Sequence, residues 1–187
     1  MFSSFQKTIT KSIAFKGVGL HSGLSTEVKI IPAAENYGIV FKRTDLHENN
    51  FIKATYSNVC SAQLCTTLEN NTKVTVSTVE HLLAALYITG IDNALIEINN
   101  SEVPIMDGSS KEFVETIRKT GVKNQNAKRK YLKIAKKIEL KEGEKKISIE
   151  PDNKSLKVDF QLVYSNDVIG TQSNQINFSD CDLIDIY

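Results

Sequence analysis

The spacing of apolar residues changes twice between residues 74 and 98, and each change predicts a new element. Residues 74–76 form a short apolar run of β type. Four apolar residues then recur at i, i+3, i+4 and i+7 and share one helical face: Val79, Leu82, Leu83 and Leu86. Gly90 stands where helices commonly end, and residues 93–98 read as a strand. The pattern predicts strand, helix, strand.

Glu80 and His81, at the start of this helix, can be interpreted in two ways. Ser77 and Glu80 form a Ser-x-x-Glu capping box, in which Glu80 caps the helix and His81 is an ordinary first-turn residue. The alternative is chemical, because the helix dipole disfavours an imidazolium in the first turn, and neutral imidazole binds metals. Glu80 could then act as general base on metal-bound water. One histidine and one glutamate do not make a metal site, so both interpretations stay open here.

The remainder of residues 1–122 predicts a sheet with helices. Strands are expected at 28–31, 38–43 and 51–54, and a glycine-rich loop spans 17–23. This loop is not GxGxxG and no helical pattern follows it, which argues against a dinucleotide or P-loop site. A second helix is expected from Ser109, with Glu112 completing another capping box and Gly121 ending it. The fold class is α+β, a two-layer domain of sheet and helices.

The polar and basic residues 123–130 have the composition of a linker, so we place the domain boundary there, between 1–122 and 131–187. Four strands are expected in the second part, near 132–134, 146–149, 156–160 and 175–178. A helix would start near Ser179, about two turns before the last residue. We therefore expect a second α+β domain of similar type that is truncated.

Composition excludes several classes of protein. With 41% hydrophobic and 24% charged residues the chain can bury a core, and 23 basic against 22 acidic residues give no global reason to expect nucleic acid. Three cysteines without a CxxC pair suit the reducing cytoplasm. No signal peptide or transmembrane run is apparent, so a soluble, cytoplasmic protein is expected.

Basic and acidic residues nearly balance over the whole chain but not within residues 123–157. Between Lys123 and Lys157 there are 12 basic and 5 acidic residues. Solvent-exposed faces of strands and turns explain this excess of basic residues. The alternative interpretation is a site for an anionic ligand, or transient proximity to a membrane surface.

Six sequence blocks occur in one order and together identify a family. They are Gly17-Val-Gly-Leu-His-Ser-Gly23, Arg43-Thr-Asp45, Leu64-Cys-Thr-Thr-Leu68, Ser77-Thr-Val-Glu-His-Leu82, Gly90-Ile-Asp-Asn93 and Pro104-Ile-Met-Asp-Gly-Ser109. The pattern closely resembles the UDP-3-O-acyl-N-acetylglucosamine deacetylases, the zinc amidases of lipid A synthesis. The resemblance covers the whole first domain and the start of the second.

The resemblance implies two layered domains with the active site between them. The implied substrate is a UDP-sugar lipid precursor, UDP-3-O-(3-hydroxyacyl)-N-acetylglucosamine, whose N-acetyl group is hydrolysed to acetate and a free amine. By the same resemblance His81 is a Zn²⁺ ligand, and Glu80 is the general base that activates zinc-bound water. Zinc lowers the pKa of its water and polarises the amide carbonyl, so this pairing is chemically reasonable.

Four further residues are candidates for the substrate site. Leu64 and Cys65 match a segment lining the acyl or sugar site, with core packing as the alternative. Asp107 could orient the site, but turn formation or capping is the preferred explanation of an Asp-Gly pair. His21, in the glycine loop, is a candidate for a position near the cleft, with a purely structural loop residue as the alternative, and the remaining histidine, His47, is expected in solvent.

The chain departs from the family pattern in one respect. Relatives supply two further zinc ligands, a histidine and an aspartate four residues apart, and a catalytic histidine from the second domain. Here no histidine occurs downstream of residue 130, and catalytic zinc normally needs three protein ligands. We therefore expect the N-terminal part of a deacetylase, inactive alone. The alternative is a non-catalytic binding or interaction protein; a HExxH metalloprotease is excluded because that spacing is absent. The sequence does not define an oligomeric state.

Overall fold

The structure is a computed structural model that describes residues 4–153 and 155–178. Two compact units are present, and the division falls between Arg129 and Lys130. The strands of the first unit are β1 Phe5–Ile9, β2 Ile13–Val18, β3 Ser25–Pro32, β4 Ile39–Arg43, β5 Phe51–Lys53, β6 Val59–Ser61, β7 Thr67–Glu69, β8 Thr75–Ser77, β9 Ala94–Ile98 and β10 Val122–Lys128. Its helices are α1 Glu80–Thr89, α2 Lys111–Thr120 and a short 3-10 turn at Tyr56–Asn58.

A five-stranded sheet in the order β2-β3-β9-β4-β5 forms the first layer of this unit. All neighbours are antiparallel except β4 and β9, which run parallel. Strand β3 alternates between buried and exposed residues, so one sheet face is apolar. The α2 helix packs on this sheet through Phe113, whose ring meets the ring of Phe15 edge-on at 4.8 Å between centroids. The predicted α+β class is confirmed.

Both predicted helices are present, and each buries apolar side chains; Leu83 of the predicted α1 face is only half-buried. Leu82 and Leu86 of α1 and Phe113 of α2 are at most 1% exposed. Gly90 ends α1 in the left-handed conformation, with φ of +73°, as a C-terminal glycine commonly does. No helix among residues 4–153 and 155–178 is long and apolar enough to cross a membrane.

Residues 122–128 differ from the linker predicted at 123–130. They form β10, which pairs antiparallel with β1, and Arg129 donates hydrogen bonds of 2.7 Å to both carboxylate oxygens of Asp92. The strand escaped prediction because its side chains are polar and mostly exposed, so it lacks the apolar alternation of a buried strand. The division between units follows it, after Arg129.

The second unit contains two hairpins within its described residues. Strand β11 Ile138–Glu142 pairs with β12 Lys145–Ile149, and β13 Lys157–Val163 pairs with β14 Thr171–Asn177. The strand expected at 132–134 is absent, and the helix expected from Ser179 lies outside the described residues. None of the described residues from 130 onward is buried, and the β11–β12 side chains Ile138, Leu140 and Ile147 are 55–70% exposed.

Candidate active site

The turn between β8 and α1 is centred on Thr78. Its φ of +56° lies in the left-handed region, which a β-branched residue rarely adopts. The preceding Ser77 is fixed on both sides, because its N–H donates to Ser101 O at 2.9 Å and its carbonyl accepts from Val103 N–H at 3.0 Å. The chain therefore leaves the strand sharply, and α1 begins at Glu80.

This geometry shows that the predicted capping box is wrong. Ser77 belongs to strand β8, and its hydroxyl donates to Ser101 O at 3.2 Å instead of capping the helix. Val79 occupies the N-cap position and provides no side-chain cap. The physical reason is that pairing with residue 101 holds Ser77 in the strand, while the left-handed turn separates it from α1. Glu80 is consequently not used as a cap.

The carboxylate of Glu80 is held at one oxygen and unpaired at the other. Oε1 accepts a hydrogen bond from the backbone N–H of Thr66. Oε2 is buried and has no hydrogen-bond partner; it is the one side-chain polar atom of this kind in the described part of the chain. An unsatisfied buried polar group costs about 1–3 kcal/mol, so such an atom requires an explanation in function or in a bound group.

His81 follows Glu80 in the first turn of α1 and is half-buried. Successive helical residues differ in direction by about 100°, so the imidazole and the carboxylate cannot point the same way. They nevertheless leave the helix at the same end. Glu80 and His81 thus form a carboxylate–imidazole pair at the N-terminus of α1.

Leu64 and Cys65 directly precede Thr66, the residue that contacts Glu80. Leu64 is 88% exposed with a φ of +65°, so it is not part of the buried core. Cys65 is half-buried, and its Sγ lies 3.9 Å from Thr67 Oγ1. The structure brings this segment to Glu80 through Thr66, and the assignment of both residues to the substrate site stays a prediction.

Two histidines lie in loops at different places. His21 lies in the β2–β3 hairpin loop, where its side chain is exposed and its N–H donates to Glu102 Oε1 at 2.9 Å. His47 is exposed in the loop between β4 and β5, as expected from the sequence. The structure links the loop of His21, through Glu102, to the turn at Thr78. Its proximity to the substrate stays a prediction.

Asp107 shapes the turn that precedes α2. Its Oδ1 accepts hydrogen bonds from the Ser109 hydroxyl at 2.8 Å and the Ser109 N–H at 2.9 Å, and these bonds lower the pKa of Asp107 below its usual value. The Ser109 hydroxyl in turn accepts from Lys111 N–H at 3.1 Å at the start of α2. Asp107 is exposed, and any role in orienting the site stays a prediction.

Glu102 is a site residue that sequence reasoning missed. It is 2% exposed, and its carboxylate accepts hydrogen bonds from His21 N–H at 2.9 Å, Ser22 N–H at 2.7 Å and the Thr78 hydroxyl at 2.9 Å. Burial raises the pKa of Glu102, but the hydrogen bonds from Ser22, His21 and Thr78 outweigh it and lower the pKa to about 2. Glu102 is therefore an ionised, buried carboxylate.

The glycine loop contains the signal that could have indicated Glu102. A Cβ at Gly19 would overlap both Glu102 Oε2 and Ser22 Oγ, so the loop needs glycine for the close approach of the carboxylate. A Cβ at Gly17 would lie 2.9 Å from Pro104 Cβ. Two closely spaced glycines in a hairpin loop indicate that something packs tightly against it, but they do not identify the neighbour.

The described residues provide fewer protein ligands than a catalytic zinc ion requires. No group of three or more His, Cys, Asp or Glu side chains within residues 4–153 and 155–178 is placed to hold a metal ion. Three protein ligands are normally needed, and His81 can supply one imidazole. These residues alone do not form a zinc site, although Glu80, whose Oε2 has no hydrogen-bond partner, directly precedes the one candidate ligand in the chain.

The fold and the site define an α+β protein with a carboxylate–imidazole pair at a helix N-terminus. The UDP-3-O-acyl N-acetylglycosamine deacetylase (LpxC) family model matches residues 6–185, so the chain belongs to this family. The chain is also similar to proteins named UDP-3-O-acyl-N-acetylglucosamine deacetylase. It is 42% identical over 175 residues to that of Geotalea uraniireducens, a match that covers 94% of this chain and 56% of the relative.

Matches to two further relatives cover similar shares of this chain and of the relative. The Phenylobacterium zucineum protein is 41% identical over 170 residues, covering 90% of this chain and 58% of the relative. The Shewanella frigidimarina protein is 44% identical over 162 residues, covering 87% and 53% respectively. The chain thus spans about half the length of the curated relatives it matches.

Proposed function

We propose that a polypeptide that contains this chain and extends to the length of its relatives catalyses zinc-dependent hydrolysis of the N-acetyl group of UDP-3-O-(3-hydroxyacyl)-N-acetylglucosamine. The products would be acetate and UDP-3-O-acyl-glucosamine, an early step of lipid A synthesis in the cytoplasm. Membership of the deacetylase family supports the substrate class. The observation that carries the catalytic role is the buried, unpaired Oε2 of Glu80 next to His81 at the start of α1.

In this proposal Glu80 is the general base. The Thr66 N–H fixes Oε1, which leaves Oε2 as the oxygen that accepts a proton from the attacking water. His81 would be one of the zinc ligands, and the others would come from residues outside those described. Zinc in such hydrolases polarises the carbonyl and increases the acidity of water.

We also propose that residues 1–187 alone do not hydrolyse the amide. The absence of a three-ligand group among the described residues supports this part of the proposal. Leu64, Cys65, His21 and Asp107 are retained as candidate substrate contacts, with the Leu64–Cys65 segment the best placed because it adjoins the residue that contacts Glu80.

Acetate release from the UDP-sugar by purified protein tests this function. A polypeptide that contains this chain and extends to the length of the relatives should release acetate, bind about one zinc ion per chain, and lose activity when a chelator removes the metal. Added Zn²⁺ should restore the activity. Residues 1–187 alone should release no acetate. Absence of acetate release from the zinc-loaded extended protein, or full activity in the metal-free protein, would contradict the proposal.

A further inference from the structure

The carboxylate of Glu102 joins two segments of the first unit, the turn at Thr78 and the loop of His21 and Ser22. Oε1 accepts from the Thr78 hydroxyl and from His21 N–H, while Oε2 accepts from Ser22 N–H. The backbone of Glu102 also forms a parallel bridge with Ser77 at the end of β8. The carboxylate therefore touches both the turn that leads into α1 and the loop that carries His21.

The turn at Thr78 needs such a contact. A left-handed conformation is strained for threonine and persists only where surrounding groups hold it. The hydroxyl of Thr78 donates to a charged, buried acceptor, and hydrogen bonds to ionised acceptors are stronger than those between neutral groups. Because Thr78 lies two residues before Glu80, its backbone conformation determines the direction in which the first turn of α1 leaves the strand.

We propose that Glu102 is a positioning residue for the deacetylation: its carboxylate holds the Thr78 turn and the His21 loop in one arrangement, and thereby fixes Glu80 against Thr66. This inference rests on the proposed function of Glu80. The Glu102 carboxylate is bonded to Thr78, His21 and Ser22, and the Glu80 carboxylate to Thr66, so Glu102 acts on Glu80 through Thr78. The role requires a carboxylate, since three donors converge on it and the amide group of a glutamine would direct its own N–H₂ toward at least one of them.

The test compares Glu102→Gln with Glu97→Gln in the extended, zinc-loaded protein. Glu97 is a half-buried glutamate on β9 whose carboxylate pairs with Lys42 Nζ at 3.0 Å. Glu97→Gln is the matched control, because it also replaces one glutamate carboxylate by an amide. Glu102→Gln should lower kcat by roughly 10- to 100-fold per folded molecule, because small misplacement of a catalytic group has effects of this size. KM should change by less than about threefold, and Glu97→Gln should leave both constants close to wild type.

Variants of Thr78 test the same role if Glu102→Gln fails to fold. Thr78→Ser keeps the hydroxyl and should retain most of kcat, whereas Thr78→Val removes the donor and should reproduce the loss. Where Glu102→Gln does fold, the losses of kcat in the double variant Glu102→Gln, Thr78→Val should not add, since both substitutions remove one interaction. Full additivity, or equal kcat for Thr78→Ser and Thr78→Val, would overturn the inference.

Amide hydrogen exchange separates this inference from the proposed function. In Glu102→Gln the Thr66 amide should lose protection, because Glu80 no longer accepts from it, while amides of β3 and β9 keep theirs. This readout does not depend on turnover. If the wild-type protein lacks deacetylase activity but Thr66 loses protection, only the proposed function fails. If activity is present and both kcat and Thr66 protection match Glu97→Gln, the positioning role is wrong.

Discussion

Two glutamates near the turn that follows β8, the half-buried Glu80 and the buried Glu102, have opposite environments. Glu80 leaves one buried oxygen without a partner, an arrangement that costs about 1–3 kcal/mol, whereas Glu102 satisfies its carboxylate with three donors. A stable protein retains an unsatisfied oxygen where another property depends on it, and proton transfer needs an acceptor that is not already occupied. This contrast is consistent with the proposed roles, general base for Glu80 and positioning residue for Glu102.

Glu102 should make the stability of the first unit depend on acidic pH. Its folded-state pKa of about 2 lies below the usual 4.5, so the stabilisation is fully present above about pH 5 and is lost as the pH falls toward 2. The full loss amounts to about 3 kcal/mol, at about 1.4 kcal/mol per pKa unit. Glu102→Gln should remove this dependence, as measured by urea unfolding at pH 6, 4 and 3.

The exposed Glu112 provides the control for this measurement. Glu112→Gln removes a carboxylate from the first turn of α2, where it has no buried hydrogen bonds of this kind, and should keep the wild-type pH dependence. Identical slopes for wild type and Glu102→Gln between pH 4 and 3 would show that Glu102 is not an ionised, hydrogen-bonded group in the folded protein.

At the scale of elements, the sequence predicted features that depend on local spacing. The helix α1 and four strands of the five-stranded sheet, β3, β4, β5 and β9, follow from residue patterns within a short stretch of sequence. The capping box failed because the partner of Ser77 is Ser101, 24 residues away, and no local rule contains that contact. Glu102 was missed for the same reason, since its three donors lie 24 to 81 residues away in the chain.

Strand β10 shows how side-chain amides stabilise a strand without apolar alternation. Gln125 accepts from the side-chain amide of Asn93 at 2.7 Å and donates to Ala33 O at 2.9 Å. Asn93 is 1% exposed and also donates to Gln6 Oε1 at 2.8 Å. These contacts, together with the ladder to β1, attach a polar segment to the first unit.

Hydrogen exchange should distinguish this strand from a linker. Amides of residues 122–128 that face β1 should exchange much more slowly than those of residues 131–137, which lie outside the strands. Asn93→Ala should weaken the protection of 122–128, because it removes the amide that bonds to Gln6 and Gln125. Equally fast exchange of both segments in the wild-type chain would support the linker interpretation.

At the scale of the whole molecule, the candidate site belongs to the first unit. Every residue that the structure describes as buried lies before Arg129, and Glu80, His81 and Glu102 all lie on elements of that unit. The first unit therefore contains the proposed base, its proposed positioning residue and one candidate metal ligand. The family match covers residues of both units, and the relatives are almost twice as long as the matched segments.

The most direct test of this account is the turnover of Glu80→Gln in the extended protein, measured together with its zinc content. The variant should bind zinc as the wild type does, while kcat falls by about 10²- to 10⁴-fold because the acceptor for the water proton is lost. His81→Ala should instead lower the zinc content, and Glu112→Gln should change neither quantity. A Glu80→Gln protein that binds zinc and releases acetate at close to the wild-type rate would contradict the central claim.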